Sequence, residues 1–241
     1  MKNSLQTSVQ YLKGVGPKVA KKLKKLGVET ILDLIYYFPR YYEDRSNPCA
    51  IAKLEPRQPN VILVQVERVN HQITRSRFSV MKIVVSDHTG SIQAVWFNQP
   101  YLSTFFRPGM KLILSGKTEI SDFDNTLQFM VKDFEIYTGQ NQKIMPIYPL
   151  TEGLYPKKVR GIVETVLADH LAEIREGLPD TIRKKYKLLG LINAIKRLHF
   201  PEKIEQVEPA RRRLVFDDFF YFQLSLGIRK RIIKTSPGIK F

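Results

Sequence analysis

The sequence has a single cysteine, Cys49, in 241 residues. No disulfide can form within the chain, and no Cys-rich zinc site can be assembled. A reducing compartment fits that composition. Long apolar runs are missing too: none approaches the roughly 20 residues needed to cross a bilayer. Met1–Ser8 lacks the apolar core of a secretory leader, so the expected location is cytoplasmic. Catalytic signatures are equally scarce. There is no Gly-x-x-x-x-Gly-Lys-Ser/Thr phosphate loop, no Gly-x-Ser-x-Gly and no Cys/His nucleophile pair. His71, His88, His170 and His199 show no metal-ligand spacing, and Asp87, Asp122 and Asp124 read as turn residues. No catalytic site, metal or cofactor is expected in these residues. Acidic residues are the last shortage, 23 Asp+Glu against 39 Lys+Arg, a net charge of +16. That excess favours a polyanionic partner, nucleic acid or an acidic membrane surface. At 43% hydrophobic the chain can still bury a sizeable core, which excludes wholesale disorder.

What is present falls into three regions with different periods. Residues 1–47 read as helical. Val19, Leu23 and Leu26 follow helical spacing, and a second apolar run from Ile31 to Phe38 ends at Pro39. Residues 48–149 change to strands, after a proline-rich approach holding Pro48, Pro56 and Pro59. Val61–Val69, Phe78–Ser86, Ser91–Phe97, Lys111–Ile120 and Leu127–Ile136 are rich in β-branched and aromatic residues. A short helix, Pro100 to Phe106, is expected between the third and fourth strands. Five strands with a helix in that place give the order of an OB-fold barrel. Residues 150–241 return to helical periodicity, ending in a helix from about Pro209 to Lys234. That helix is too apolar for a free surface and needs something to pack on. The expected class is α+β: a five-stranded OB-fold barrel flanked by N-terminal and C-terminal helical regions.

Two stretches could carry recognition. Alternation along the third strand puts Ile92, Ala94 and Trp96 on one face and Gln93, Val95 and Phe97 on the other. Trp96 then belongs to the core and Phe97 to a surface. On the second strand Met81, Ile83 and Val85 face the core, so Lys82 points outward, near Arg75 and Arg77. A flat ring beside outward cations suits a nucleic-acid strand: stacking for bases, charge for phosphates. The plain alternative is that Phe97 staples the short helix by touching Leu102. Upstream, Lys13-Gly14-Val15-Gly16-Pro17-Lys18 resembles a helix-hairpin-helix turn, followed by Lys21, Lys22, Lys24 and Lys25. It either meets a DNA backbone or is a helical corner with a solvated face.

Together these residues resemble a known family. Leu12–Ser46, with Leu-Lys-Gly-Val-Gly-Pro-Lys-Val-Ala and Phe-Pro-Arg-Tyr-Tyr-Glu-Asp-Arg-Ser, is similar to the N-terminus of the RecG branched-DNA helicases. Trp96-Phe97-Asn98-Gln99-Pro100-Tyr101-Leu102 resembles their wedge motif. Pro146–Leu154, Leu198-His199-Phe200-Pro201 and Ala210–Asp217 continue the family order. The resemblance implies a monomeric protein that binds stalled forks, Holliday junctions and D-loops in recombination and repair. It implies that Phe97 and Tyr101 stack on bases where strands part, with Trp96 as support, and that barrel Arg and Lys guide the strands. ATP and Mg²⁺ would serve motor domains beyond residue 241. Two other readings stay open: a stand-alone single-stranded DNA- or RNA-binding OB protein, and a scaffold whose basic face meets an acidic protein.

Overall fold

The computed structural model describes residues 4–73, 79–97, 99, 102, 104–121, 125–139, 141 and 143–235. Their contacts divide into two compact units. One is formed by residues 1–43 with 144–241, and the other by residues 44–143. The helical stretches at the two ends of the sequence therefore make one body, and the strand-rich stretch makes the other.

In the helical unit, α1 (Pro17–Lys24) begins with Pro17 at its first position, where a missing N–H costs nothing. Gly14 before it has φ +82°, a conformation glycine adopts without a Cβ clash. Among the described residues two 3₁₀ turns, Ser4–Gln6 and Val9–Tyr11, precede this corner, so the first helix of the resemblance is a single turn, Val9–Tyr11. α2 is short, Ile31–Ile35, and opens with a reciprocal cap. The Thr30 hydroxyl accepts from Asp33 N–H, and the Asp33 carboxylate accepts from Thr30 N–H. The apolar run to Phe38 was expected to continue as helix. The chain instead turns into β1 (Tyr41–Asp44), which pairs with β7 (Ile144–Ile147) as a two-stranded ribbon. Neither strand is evident in the sequence pattern, since four residues carry too little alternation to register.

The second unit is the barrel. Its strands are β2 (Pro59–Ile73), β3 (Ser79–Asp87), β4 (Gly90–Phe97), β5 (Lys111–Ile120) and β6 (Leu127–Ile136). The order is β2-β3-β4-β6-β5, closing from β5 back to β2. All pairings are antiparallel except β4 with β6, where Gln93, Ala94 and Val95 run parallel to Gln128, Phe129 and Met130. Every strand expected from sequence is present, with β2 longer at both ends; Phe78 lies outside the described residues. Closure depends on one glycine. A Cβ at Gly116 would lie 2.1 Å from the Met130 carbonyl oxygen, at the register shift between β5 and β6. The approach segment is more than a linker: Ile51 and Leu54 enter the barrel core. Asp87 ties it down by accepting from Ile51 N–H at 2.8 Å.

Three further helices follow β7: α3 (Pro156–His170), α4 (Asp180–Lys185) and α5 (Leu191–His199). Buried residues of α3 join Leu23, Ile31, Leu34 and Ile35 in the main helical core. The 29-residue α6 (Val207–Thr235) ends the described chain. Its start packs on α5 through Val207 and Ala210 with Ala194 and Leu198. Arg213 is wholly buried on Glu176 and Asp217. From Tyr221 to Lys234 every described residue is exposed, including Phe222, Leu224, Ile228 and Ile232. No helix among the described residues is long and apolar enough to cross a membrane.

Candidate nucleic-acid interface

β4 presents its two terminal aromatics in opposite directions, as alternation requires. Trp96 is 1% exposed and Phe97 52%. The indole is held by rings on two sides. Phe106 lies 5.1 Å away between centroids, and Phe134 of β6 meets it edge-on at 6.1 Å. Phe106 and Phe134 touch each other at 5.0 Å. Trp96 and Phe106 belong to the barrel core, and Phe134 packs against it. The Trp96 N–H has no hydrogen-bond partner among the described residues, so shape and apolar area alone hold the ring.

Turn bonds are described within the stretch expected to form the short helix, Pro100 to Phe106, four of whose residues are described. Leu102 N–H bonds to Gln99 carbonyl, and Phe105 and Phe106 N–H bond to Leu102 carbonyl. Leu102 is 3% and Phe106 4% exposed, both in the barrel core with Trp96. The turn is thus anchored through its own core residues, and the Phe97 ring is left more than half in solvent.

Expectation and structure differ at Val95. Alternation sets it on the outer face with Phe97, yet it is 1% exposed. It sits between register partners Lys82 on β3 and Met130 on β6, so neighbouring strands and their side chains cover it. Lys82 is on the outer face as expected and half-buried. Arg75, Arg77 and Tyr101 lie outside the described residues.

On α1, Lys18 and Lys21 are exposed. Lys22 is different: its ammonium donates to the Gly153 carbonyl at 2.8 Å, tying α1 to the loop before α3. The expected residues therefore fall into two groups on separate units, an aromatic one on the barrel and a cationic one on α1. Two contributors escape the sequence reading. Phe105, 40% exposed, meets Phe106 and Phe134 edge-on. Lys158 of α3 comes beside the Gly14 turn. The Phe-Phe pair was visible as a signal; Lys158's neighbour, 144 positions away in sequence, was not.

Other candidates resolve as structural. Asp87 is partly buried, which raises its carboxyl pKa. Bonds from the Thr89 hydroxyl and from Ile51, Thr89 and Gly90 N–H outweigh that and hold it below the usual range. It is committed to the β3–β4 turn. His199 is buried against Tyr148 and the Ile35 carbonyl. No group of acidic, His or Cys side chains suited to a metal occurs among the described residues.

Residues 8–169 match the model of the RecG wedge domain. The chain belongs to the RecG wedge family. Among curated relatives, the ATP-dependent DNA helicase RecG of Thermotoga maritima is 34% identical over 94% of this chain and 29% of its own length. The Bacillus subtilis RecG is 30% identical over the whole of this chain and 35% of its own. A solved structure of RecG bound to a three-way DNA junction superposes with a TM-score of 0.82 at 33% identity, covering 97% of this chain and 32% of that one. The chain spans about a third of the length of these RecG proteins. The α+β architecture, with its five-stranded OB-type barrel and helices before and after it in sequence, is that of the RecG wedge region.

Proposed function

We propose that these residues bind branched DNA and act as the strand-parting wedge of a RecG-type, ATP-dependent DNA helicase in recombination and repair. The observation that carries this reading is the Trp96–Phe97 pair at the end of β4. One ring is locked in the barrel core, and its neighbour is held out in solvent on a rigid strand. An exposed ring on a strand whose backbone is already paired can stack on the base at a junction without the chain first having to order. In this reading Phe97 contacts the unpaired base, Tyr101 supplies a second ring, and Trp96 supports from below. Lys82, Arg75 and Arg77 neutralise phosphates of the diverging strands. Lys18 and Lys21 add contacts from α1, while Lys22 maintains the loop. Stalled forks, Holliday junctions and D-loops share the feature being read, a point where paired strands diverge.

The barrel needs no cofactor for this. Its part is passive: it blocks the duplex and holds the branch. ATP hydrolysis with Mg²⁺ belongs in this reading to motor domains such as the named relatives' ATP dependence requires, none of whose signatures occurs in these 241 residues. The exposed apolar stretch of α6 fits a surface that meets such a domain.

The test is Phe97→Ala in the 241-residue protein, assayed against a three-way junction, plain duplex and single strand at matched salt. Junction affinity should fall by about 1–3 kcal/mol, with the thermal midpoint unchanged. Wild-type protein binding all three DNA forms equally would sink the branch reading. Equal affinity for single strand and junction, both above duplex, would favour a general single-strand OB protein instead.

A further inference from the structure

We infer that α1 and the first turn of α3 together form a second DNA-contacting face, one that grips the phosphate backbone of a duplex arm rather than the parted strands. This rests on the DNA reading above and deepens it.

The face is assembled across the fold. The Gly14 turn and α1 come from the start of the chain, and α3 begins at Pro156. They meet at two points. The Lys158 ammonium lies 3.3 Å from where a Gly14 Cβ would stand. Lys22 donates to the Gly153 carbonyl. Lys13 flanks the Gly14 turn that Lys158 approaches, and Lys18, Lys21, Lys25 and Lys157 lie on the same two joined segments, all six exposed. None of the six has a carboxylate partner among the described residues. The nearest acids in sequence are Glu29, already paired with Lys24 at 3.0 Å, and Glu152 at the edge of the loop.

The arrangement runs against the internal electrostatics of the fold. The start of a helix carries partial positive charge, so acids are favoured there and cations disfavoured. Neither α1 nor α3 has an acid in its first turn. Lys18, Lys157 and Lys158 stand in those turns instead. Such a concentration of like charge is relieved by an external polyanion. Duplex DNA carries one charge per roughly 1.7 Å of axis, and a patch in which cations outnumber rings suits a paired backbone better than unstacked bases. Two exposed rings, Tyr11 and Tyr155, flank the lysines, and six cations against two rings favour phosphate contact over base stacking.

The experiment is a Lys18→Ala/Lys21→Ala/Lys158→Ala variant of the 241-residue protein, with the three Lys→Arg changes as a charge-preserving partner. Binding is measured to plain duplex, single strand and a three-way junction over a salt series, beside Phe97→Ala. The alanine variant should lose at least tenfold in duplex affinity, and its log–log salt slope should shrink by about 2–3, near one per lysine removed. The arginine variant should bind as wild type, whereas in the alanine variant the ratio of junction to single-strand affinity should shift against the junction. Unchanged duplex affinity and slope would overturn the proposal, and so would equal losses on single strand and duplex. Vesicles of anionic lipid bound more tightly than duplex would overturn it in favour of a membrane partner. Phe97→Ala separates the two claims: if it leaves junction preference intact while the lysine variant loses duplex, the wedge reading fails and this one stands.

Discussion

Trp96 and Phe106 rest with ring centroids 5.1 Å apart in the barrel core, and this contact anchors the strand from which Phe97 projects. The two adjacent aromatics should respond oppositely to truncation. Trp96→Ala empties a fully buried site and should cost about 3–5 kcal/mol of stability. Phe97→Ala removes a ring already half in water and should cost less than about 1 kcal/mol. Urea denaturation of both variants measures the difference directly. Similar losses would mean that Phe97 is part of the core.

Arg213 should prove the most sensitive charge in the chain. Its buried guanidinium donates to Glu176 at 2.6 Å, to the Leu189 carbonyl at 2.7 Å and to Asp217 at 3.1 Å. Burial raises the Glu176 carboxyl; bonds from Leu178 and Leu191 N–H, then the Arg213 and Arg183 charges, bring it below its usual value. Arg213→Ala strips that compensation and should cost about 3–5 kcal/mol at pH 7. Burial already holds Asp217 above its usual value against the pull of Arg213, and without the cation it would rise further. Stability of the variant should then recover in part as pH falls and the Asp217 carboxyl becomes neutral. A variant whose urea midpoint falls with decreasing pH, as the wild type's should, would contradict this.

A second pH effect comes from His199. Burial pushes its pKa down to about 4, against the opposing pull of the Ile35 carbonyl. That carbonyl can only accept, so Nε2 carries the hydrogen and Nδ1 accepts from the Tyr148 hydroxyl. The folded state keeps a neutral ring between pH 6.5 and 4, while the unfolded chain takes up a proton. Stability should fall as pH drops through that window, by about 2 kcal/mol between pH 7 and 5. His199→Gln should start lower at pH 7 and show a flatter profile. Urea melts at half-unit intervals read both.

Two glycines with crowded surroundings should behave differently. At Gly116 the obstacle is the Met130 backbone, which cannot move without opening β5 from β6. Gly116→Ala should cost about 3 kcal/mol. At Gly177 a Cβ would meet the Tyr221 hydroxyl at 2.0 Å, the far end of a side chain that can swing into solvent. Gly177→Ala should change stability by no more than about 0.5 kcal/mol. Differential scanning calorimetry of the pair distinguishes backbone from side-chain crowding.

The strands were readable because each is long enough to alternate. Met81, Ile83 and Val85 against Lys82 and Val84 already separate the two faces of β3. Trp96 and Phe97 were assigned opposite faces on the same ground, and their exposures agree. The rule fails at Val95, because period two says which way a residue points and not whether adjacent strands cover it. β1 and β7 were missed because they find their hydrogen-bonding partners about 100 residues apart and carry no local pattern. Lys22 reads like its neighbours on α1, and only the position of Gly153 shows that it is a tie. Pairings of this kind arise from the tertiary fold, where sequence periodicity has no purchase.

The β1–β7 ribbon bears on how the barrel is carried. Arg40 N–H reaches the Ile147 carbonyl on the helical side, and Arg45 N–H reaches the Lys143 carbonyl on the barrel side. The chain therefore enters and leaves the barrel along one pair of bonded strands, about 5 Å apart. Removing the barrel would leave a gap that a two-residue hairpin turn could close, and another domain could be spliced in at the same seam. Recombination between genes could thus exchange the barrel while the helical body stays as it is.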